Sequence, residues 1–308
     1  MDATLAQEGD VLWARNATFG DGDAVGGQAL LQVQGGVEAD AEVVQVAVVD
    51  ADEGRVEPQG AIEFGGHKVL TLAHQAGKIT AAQIESALAA YREDANREHM
   101  VMPGMVHLSQ PTEYGALYSL AELEAISAVC RAGGILLYID GARLAYALAC
   151  PANDVTLADI ARLADVFYIG GTKCGALFGE AVVFPKRNTV PHFFSIVKQH
   201  GALLAKSRIA GLQFDTLFTN QLYEKGGETA ILAADRIRSA LREKDYPLAY
   251  DAPTNQIFLV LYEAQKARLS KQVEMGFWEN LADGKTVMRI ATSWATQDED
   301  VDRLIALL

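Results

Sequence analysis

A carboxylate and an amine follow two apolar runs that lie about thirty residues apart in the sequence. Asp140 stands in L-L-Y-I-D-G-A-R, and Lys173 stands in V-F-Y-I-G-G-T-K-C-G. The two runs cover residues 135–139 and 166–169 and have the length of strands. The small residues that follow them leave room for a ligand. A lysine amine with a lowered pKa becomes a nucleophile toward carbonyl groups, and a carboxylate can pair with a protonated ring nitrogen. This pair predicts a site for a carbonyl cofactor that contains a nitrogen ring.

The residues between the two runs predict the elements that position this pair. Residues 142–149 and 157–164 carry apolar positions at the three- and four-residue spacing of helices. The whole stretch therefore predicts one βαβ unit, since parallel strands require such a crossover. Asp140 and Lys173 are expected at or just past the carboxyl ends of their strands, which is where open α/β sheets bind ligands.

Each of these polar residues also has an ordinary structural interpretation. Asp140 precedes a helix and suits the N-cap position. Lys173 could be a surface lysine at a strand end, and Arg143, in D-G-A-R, a surface arginine one turn into the helix. A nucleotide-binding loop built on Gly170 and Gly171 is a weaker alternative, because these glycines lack the spacing of that motif.

Composition excludes several classes of protein. The 308 residues suit one large and one small domain, and the half that is apolar suffices for a sizeable core. The net charge of −14 argues against nucleic-acid binding. No apolar run approaches the roughly 18–20 residues of a membrane span. The cysteines and histidines show no metal-binding spacing, and the first ten residues lack a secretory signal pattern. We therefore expect a cytoplasmic protein without a bound metal or membrane segment.

Residues 1–59 differ in composition from the rest of the chain. They contain twelve acidic residues and two arginines, and they lack Lys, Ser, Ile, Tyr, His and Cys entirely. Residues 43–49 predict a buried strand and residues 29–33 a weaker element. Two explanations stay open, namely an unusual native region and a region that was replaced or read out of frame.

From residue 60 onward, strand and helix patterns alternate. Thr80 with Gln83, and Ser119 with Glu122, predict capping boxes at the start of two helices. A single long helix is predicted over residues 192–210, and another over 222–243 with an interruption at Gly226-Gly227. Beyond residue 244 the pattern becomes strand, helix, strand, helix, with the first helix over residues 264–276. We expect a large domain at residues 60–243 and a small C-terminal domain at residues 244–308, after an atypical segment at 1–59.

The paired motifs resemble those of a known enzyme family. D-G-A-R and Y-I-G-G-T-K, with P-T-E-Y-G-A-L-Y-S-L-A-E-L and M-R-I-A-T-S-W, are similar to the threonine aldolase / β-eliminating lyase group of pyridoxal 5'-phosphate (PLP) enzymes. The similarity covers about residues 60–308. It implies the PLP-dependent transferase-like fold (fold type I), an α/β large domain with a mostly parallel sheet and a small α+β C-terminal domain.

The resemblance also implies roles for individual residues. Lys173 corresponds to the lysine that binds PLP covalently, Asp140 to the partner of the ring nitrogen, and Arg143 to a residue beside the cofactor. Arg289 corresponds to the arginine that binds the substrate α-carboxylate, for which a guanidinium fork is well suited. A strand-edge salt bridge is its ordinary alternative.

The activity implied is cleavage of a β-hydroxy-α-amino acid to glycine and an aldehyde by a homodimer or homotetramer. Gly26 and Gly27 lie about where the family has its phosphate-binding loop, but the threonine and asparagine of that loop do not follow them. The family's histidine over the ring also has no equivalent. The alternatives are therefore another PLP reaction, β-elimination or transamination, and a catalytically impaired homologue that serves as a binding or dimer partner.

Overall fold

The computed structural model describes residues 49–50, 62 and 67–308. The strands are β1 (Val49–Asp50), β2 (Thr71–Leu72), β3 (Met105–Ser109), β4 (Leu136–Asp140), β5 (Val166–Ile169), β6 (Ala181–Val183), β7 (Gln256–Leu261), β8 (Gly276–Asn280) and β9 (Thr286–Ala291). The α-helices are α1 (Ala81–Glu93), α2 (Leu120–Gly133), α3 (Leu144–Leu148), α4 (Leu157–Leu163), α5 (Phe193–Gln199), α6 (Arg208–Phe218), α7 (Leu222–Glu243), α8 (Glu263–Leu269) and α9 (Asp298–Leu307). Short 3-10 helices lie at Arg97–His99, Thr172–Cys174 and Thr219–Gln221.

The central sheet has the strand order β3-β4-β5-β6. β3, β4 and β5 are parallel, and β6 is antiparallel to β5. Helix α2 connects β3 to β4, and α3 with α4 connects β4 to β5, as parallel pairing requires. β5 is buried along its whole length, which explains its continuous apolar sequence. The predicted α/β architecture with a mostly parallel sheet is confirmed.

The capping boxes predicted from the sequence are both present. At the start of α1, the Thr80 hydroxyl accepts a hydrogen bond from the backbone N–H of Gln83, whose side chain accepts one from the backbone N–H of Thr80. Ser119 and Glu122 make the same exchange at the start of α2. That helix is followed by Gly134, whose φ of 71° lies in the left-handed region that favours glycine.

The prediction of one long helix over residues 192–210 is wrong. Helix α5 ends at Gln199 and α6 begins at Arg208. Between them Gly201 has a φ of 74°, which an α-helix cannot accommodate. The apolar spacing resumes after this turn, so periodicity alone does not detect the break.

The interruption predicted at Gly226 and Gly227 is also wrong, because α7 runs without a break from Leu222 to Glu243. The absence of a side chain at Gly227 instead permits close packing against α3. A Cβ atom on Gly227 would lie 2.3 Å from the backbone oxygen of Ala145 and 2.8 Å from the Cβ of Ala149. A Cβ atom on Gly226 would have the Cβ of Trp294 as its nearest neighbour, at 3.3 Å.

Replacing Gly227 with alanine is expected to lower the free energy of unfolding by about 1–3 kcal/mol, because α7 must shift away from a backbone oxygen that cannot yield. This loss exceeds the roughly 1 kcal/mol by which alanine is preferred over glycine within a helix. Gly226→Ala is the matched control and should stay within about 1 kcal/mol of the wild type. Urea unfolding measures both variants, and equal destabilisation of the two would contradict this packing argument.

An antiparallel sheet in the order β7-β9-β8 follows α7. With α8 and α9 it forms the α+β C-terminal region that the sequence predicts. Its apolar core includes Ile257 and Leu259 of β7 and Met288 of β9, together with Ile237 and Leu241 of α7. Since α7 contributes to this core, the two regions share a helix, and the boundary at residues 243 and 244 stays a prediction.

The helix predicted over residues 264–276 is only partly present. Helix α8 ends at Leu269, and Gly276–Asn280 forms strand β8. The sequence G-F-W-E-N carries two aromatic residues, which favour a strand. Edge strand β8 pairs with β9 on one side, so its alternation of buried and exposed positions is weak.

Several predictions lie outside the described residues. These are the glycines Gly26 and Gly27, the weak element at residues 29–33 and, apart from Val49, the strand at residues 43–49. Val49 itself belongs to β1, which pairs in parallel with β2. Within the described residues, no helix is long and apolar enough to cross a membrane.

Candidate active site

Asp140 is the last residue of β4 and lies beside Ser109, the last residue of β3. Its Oδ1 atom accepts a hydrogen bond of 2.9 Å from the backbone N–H of Ala142, which fixes the turn that follows the strand. The hydroxyl of Tyr168 lies close enough to interact with the same carboxylate. Burial, with this negative charge beside it, raises the pKa of Tyr168 well above its ordinary value, so the phenol stays protonated.

Lys173 follows β5 by way of Gly170 and Gly171 and occupies the middle of the 3-10 helix Thr172–Cys174. Its side chain is exposed, so the amine is accessible to a ligand. Helix α3 fixes the backbone of this turn, because the hydroxyl of Tyr146 donates a hydrogen bond to the carbonyl oxygen of Lys173. Gly175 ends the turn with a φ of 116°, a conformation that favours glycine.

The turns that carry Asp140 and Lys173 pack directly against each other. The backbone N–H of Gly170 donates to the carbonyl oxygen of Gly141 at 2.9 Å. A Cβ atom on Gly170 would lie 2.3 Å from the backbone oxygen of Ala142, so the contact requires glycine. The structure therefore brings the two residues to one edge of the sheet, as the βαβ argument predicts.

Tyr223 of α7 connects the two turns through hydrogen bonds of its hydroxyl. Its hydroxyl accepts a hydrogen bond from the backbone N–H of Ala145 at 3.2 Å and donates one to the carbonyl oxygen of Gly170 at 3.0 Å. The side chain is fully buried, and burial raises the pKa of its hydroxyl well above the ordinary value. A neutral phenol can donate and accept at once, which both of these bonds require.

Glu180, like Tyr223, contributes to the site although the sequence analysis does not identify it. Its carboxylate accepts hydrogen bonds from the backbone N–H of Gly171 and, at 2.7 Å, from the hydroxyl of Thr172. Burial raises the pKa of this carboxyl above its ordinary value, against the opposing effect of these two bonds. Glu180 thus closes the loop between Lys173 and β6 and fixes the turn from which the lysine projects.

Arg143 comes immediately before α3 and is largely buried, with 11% of its side chain exposed. Its Nη1 atom lies 2.6 Å from Oε1 of Glu113. Glu113 belongs to the polar loop after β3, so the ion pair joins the ends of β3 and β4. Arg143 is therefore not a free surface arginine, and the sequence gives no direct signal for its partner beyond the position of P-T-E-Y at a strand end.

Arg289 lies on β9, directly opposite Phe258 of β7, and is partly buried. Its guanidinium carbon lies 5.6 Å from the ring centre of Trp278, over the indole face. Its Nη1 atom donates a hydrogen bond of 3.3 Å to Oε1 of Gln256. The side-chain N–H of Gln256 in turn donates to the backbone oxygen of Glu113 at 3.0 Å. Arg289 and Arg143 are thereby linked through two intervening residues.

His107 is buried on β3 next to the Asp140 strand. Its ring is stacked on Tyr138 with centroids 5.0 Å apart, and burial lowers the pKa of its imidazole although the Asp140 carboxylate opposes this. Among the described residues, no group of three or more His, Cys, Asp or Glu side chains could hold a metal ion. The proposed phosphate-binding residues Gly26 and Gly27 are outside the described part of the chain.

This fold, with the ends of β4 and β5 joined at one polar site, defines the PLP-dependent transferase-like class (fold type I). Sphingomonas wittichii serine palmitoyltransferase has the same fold, with a TM-score of 0.63 and 14% identity over 96% of this chain and 75% of that one. The chain belongs to the β-eliminating lyase family, whose model matches residues 31–298. The match begins within the acidic segment, upstream of residue 60 where the motif resemblance starts.

Several proteins similar to this chain are threonine aldolases. The low specificity L-threonine aldolase of Pseudomonas sp. (strain NCIMB 10558) is 31% identical over 267 residues, which cover 84% of this chain and 75% of that protein. The enzyme of the same name from Pseudomonas aeruginosa is also 31% identical, over 84% of this chain and 74% of its own. The solved structure of Leishmania major threonine aldolase has a TM-score of 0.84 and 38% identity, over 92% of this chain and 81% of that one.

Proposed function

We propose that this protein is a PLP-dependent aldehyde-lyase of the low-specificity L-threonine aldolase type, which cleaves a β-hydroxy-α-amino acid to glycine and an aldehyde. The observation that carries the proposal is the packing of the Asp140 and Lys173 turns at one edge of a fold type I sheet. The similarity to threonine aldolases over most of the chain supports the choice of reaction, because the fold alone does not determine it.

The described residues fit PLP by their chemistry. Lys173 offers an exposed amine for the aldehyde of the cofactor, and Asp140 offers a carboxylate for its ring nitrogen. Arg143 would hold the cofactor from the side, with Glu113 orienting its guanidinium. Gly26 and Gly27 remain the residues proposed for the phosphate. Bound PLP supplies an electron sink that stabilises negative charge at the substrate Cα.

The protein residues supply binding and orientation for this chemistry. Lys173 would hold the cofactor aldehyde through its nucleophilic amine, which a substrate amine can replace. The Asp140 carboxylate would keep the ring nitrogen protonated, which is the state that accepts electrons. Arg289 would bind the substrate α-carboxylate with two parallel N–H donors. Cleavage of the substrate Cα–Cβ bond would leave its electron pair at Cα, where bound PLP would stabilise it. The aldehyde would form as a base accepts the β-hydroxyl proton, and a proton added to Cα would complete glycine.

The products formed from L-threonine test the reaction. Aldol cleavage in the presence of PLP gives acetaldehyde and glycine in equal amounts. β-Elimination would instead give ammonia and 2-oxobutanoate, and transamination would give the corresponding 2-oxo acid with retention of the Cβ carbon. Protein that does not change the absorbance of PLP, and forms none of these products, would support the impaired homologue instead.

Replacing Arg289 with lysine is expected to raise KM for L-threonine about 10- to 100-fold, because a lysine ammonium cannot form two parallel hydrogen bonds to a carboxylate. We expect a smaller effect on kcat, since Arg289 contacts a part of the substrate that does not react. Arg303→Lys is the control, because Arg303 makes an exposed ion pair with Asp300 on α9. Steady-state kinetics on L-threonine measure both, and equal KM values for the two variants would remove Arg289 from the proposed site.

A homodimer or homotetramer is proposed as the active form. Apolar side chains are exposed on the surface near the Lys173 turn, including Leu177, Phe178 and Leu212. Leu177 and Leu212 line the same open groove, and exposed apolar surface of this kind is typical of subunit interfaces. The proposal also places the protein in the cytoplasm, where its three buried free cysteines would stay reduced. Light scattering tests the assembly, and the mass of a single chain would contradict it.

A further inference from the structure

Gln256 connects the C-terminal sheet to the loop that follows β3. It is the first residue of β7, and its side chain has no solvent exposure. Its amide nitrogen donates to the backbone oxygen of Glu113 at 3.0 Å, and its amide oxygen accepts from Nη1 of Arg289 at 3.3 Å. A buried amide whose two ends are both bonded has a fixed orientation, because turning it over would break both bonds.

The position of Gln256 in the sheet places it beside Arg289. Phe258 is directly opposite Arg289 in the antiparallel β7–β9 pair. Gln256 lies two residues before Phe258, so its side chain is on the same face of the sheet and diagonal to the arginine. The indole of Trp278, 5.6 Å from the guanidinium carbon, contacts the same group. Arg289 is thus held by an amide and an aromatic face.

We propose that Gln256 is a positioning residue that orients the Arg289 guanidinium toward the α-carboxylate of the amino acid substrate. This inference rests on the proposed function, in which Arg289 binds that carboxylate. An arginine has several rotatable bonds, and a bidentate contact requires its plane to be set before the ligand arrives. The amide oxygen of Gln256 restricts that plane by accepting one N–H of the guanidinium. The amide nitrogen of Gln256 donates to the backbone oxygen of Glu113, whose carboxylate pairs with Arg143. The carboxylate-binding arginine is thereby aligned with the cofactor side of the site.

The affinity of the PLP-loaded protein for glycine tests this role, because glycine has both an amine and a carboxylate. Ethanolamine is the matched probe, since it has the amine but lacks the carboxylate. Binding of each probe is measured by titration of the visible absorbance of the PLP-loaded protein. Gln256→Leu is expected to weaken glycine binding about 10-fold, as the loss of a hydrogen bond to a charged group does, and to leave ethanolamine binding within about 2-fold.

Thr254→Val is the matched structural control. Thr254 is also fully buried, and its hydroxyl donates to the backbone oxygen of Gly115 at 2.9 Å, so it links the same two regions by a bond that does not involve Arg289. We expect Thr254→Val to lower stability while it leaves the ratio of glycine to ethanolamine affinity unchanged. Gln256→Glu keeps the size of the side chain, and its carboxylate should pair with Arg289 and weaken glycine binding more than Gln256→Leu does.

A double-mutant cycle separates positioning from a general structural effect. In the Arg289→Lys background, Gln256→Leu should cause no further loss of glycine affinity, because the group that it orients is gone. Additive losses, or equal weakening of glycine and ethanolamine, would overturn the inference. If the wild-type protein with PLP shows no absorbance change on addition of either amine, the proposed function itself has failed. If it responds to both and Gln256→Leu behaves like the wild type, only the role of Gln256 is wrong.

Discussion

Lys173→Ala is expected to lose covalent attachment of PLP and at least about 1000-fold in kcat for L-threonine cleavage, in line with removal of a covalent nucleophile. The amine is the group that reacts with the cofactor aldehyde, and alanine has no substitute for it. Because the Lys173 side chain is exposed, its loss removes no packing from the core. The free energy of unfolding of the cofactor-free protein should therefore stay within about 0.5 kcal/mol of the wild type.

Lys271→Ala serves as the control for this substitution, because Lys271 is an exposed lysine on the segment between α8 and β8. It should retain both the visible absorbance of bound PLP and full activity. Added methylamine provides a second check, since a small amine can partly replace the missing lysine. A Lys173→Ala protein that cleaves L-threonine at the wild-type rate would contradict the assignment of this residue.

The second large effect is expected at Asp140. Asp140→Asn should lower kcat about 100- to 1000-fold, comparable with the loss of one preorganised electrostatic partner in an active site. The neutral amide cannot stabilise the positive charge on the ring nitrogen. The turn itself should persist, because the amide oxygen of asparagine can still accept the hydrogen bond from the backbone N–H of Ala142.

Asp140→Ala separates the two roles of this carboxylate. Alanine removes the charge and also the hydrogen bond to Ala142, so this variant should lose both activity and about 1 kcal/mol of stability. Asp140→Asn should lose activity alone. Kinetics and urea unfolding of the pair measure this difference. If Asp140→Asn keeps full activity, the residue acts only in the turn, which is its ordinary structural interpretation.

The part of the fold that the sequence predicts depends on local signals. Strand β5 is a continuous apolar run because it is buried on both faces, and its predicted bounds are those observed. The capping boxes at Thr80 and Ser119 satisfy backbone groups within three residues, so they can be read from spacing alone. The meeting of Asp140 and Lys173 also follows from local pattern, since one crossover relates two adjacent parallel strands.

The remaining features depend on contacts between residues that are distant in sequence. Tyr223 reaches the Lys173 turn from a helix about fifty residues later, and Gln256 reaches Glu113 across 143 positions. The sequence does not distinguish the glycine that breaks a helix, Gly201, from the glycine that permits two helices to pack closely, Gly227. Glycine is suited to both positions, because it has no side chain and few backbone restrictions. In the first case it ends a helix, and in the second it remains within one.

The ion pair between Arg143 and Glu113 illustrates the same limit at the site. The sequence places Glu113 in a polar loop at the end of a strand but does not indicate which cation it contacts. Parallel pairing of β3 with β4 brings their carboxyl ends together, and the pair then forms across that edge. The sequence predicts the edge of the sheet at which Glu113 lies. Its pairing with Arg143 depends on the register of β3 and β4, which the sequence does not specify.

The attachment point of PLP tests the central claim most directly. The protein is loaded with PLP, reduced with borohydride to fix the carbon–nitrogen bond, digested, and examined by mass spectrometry. The modification is expected on Lys173, and no modified lysine is expected when borohydride is omitted. Modification of a different lysine, or a fully loaded protein that carries no modified lysine after reduction, would contradict the assignment of the Asp140 and Lys173 turns as the cofactor site.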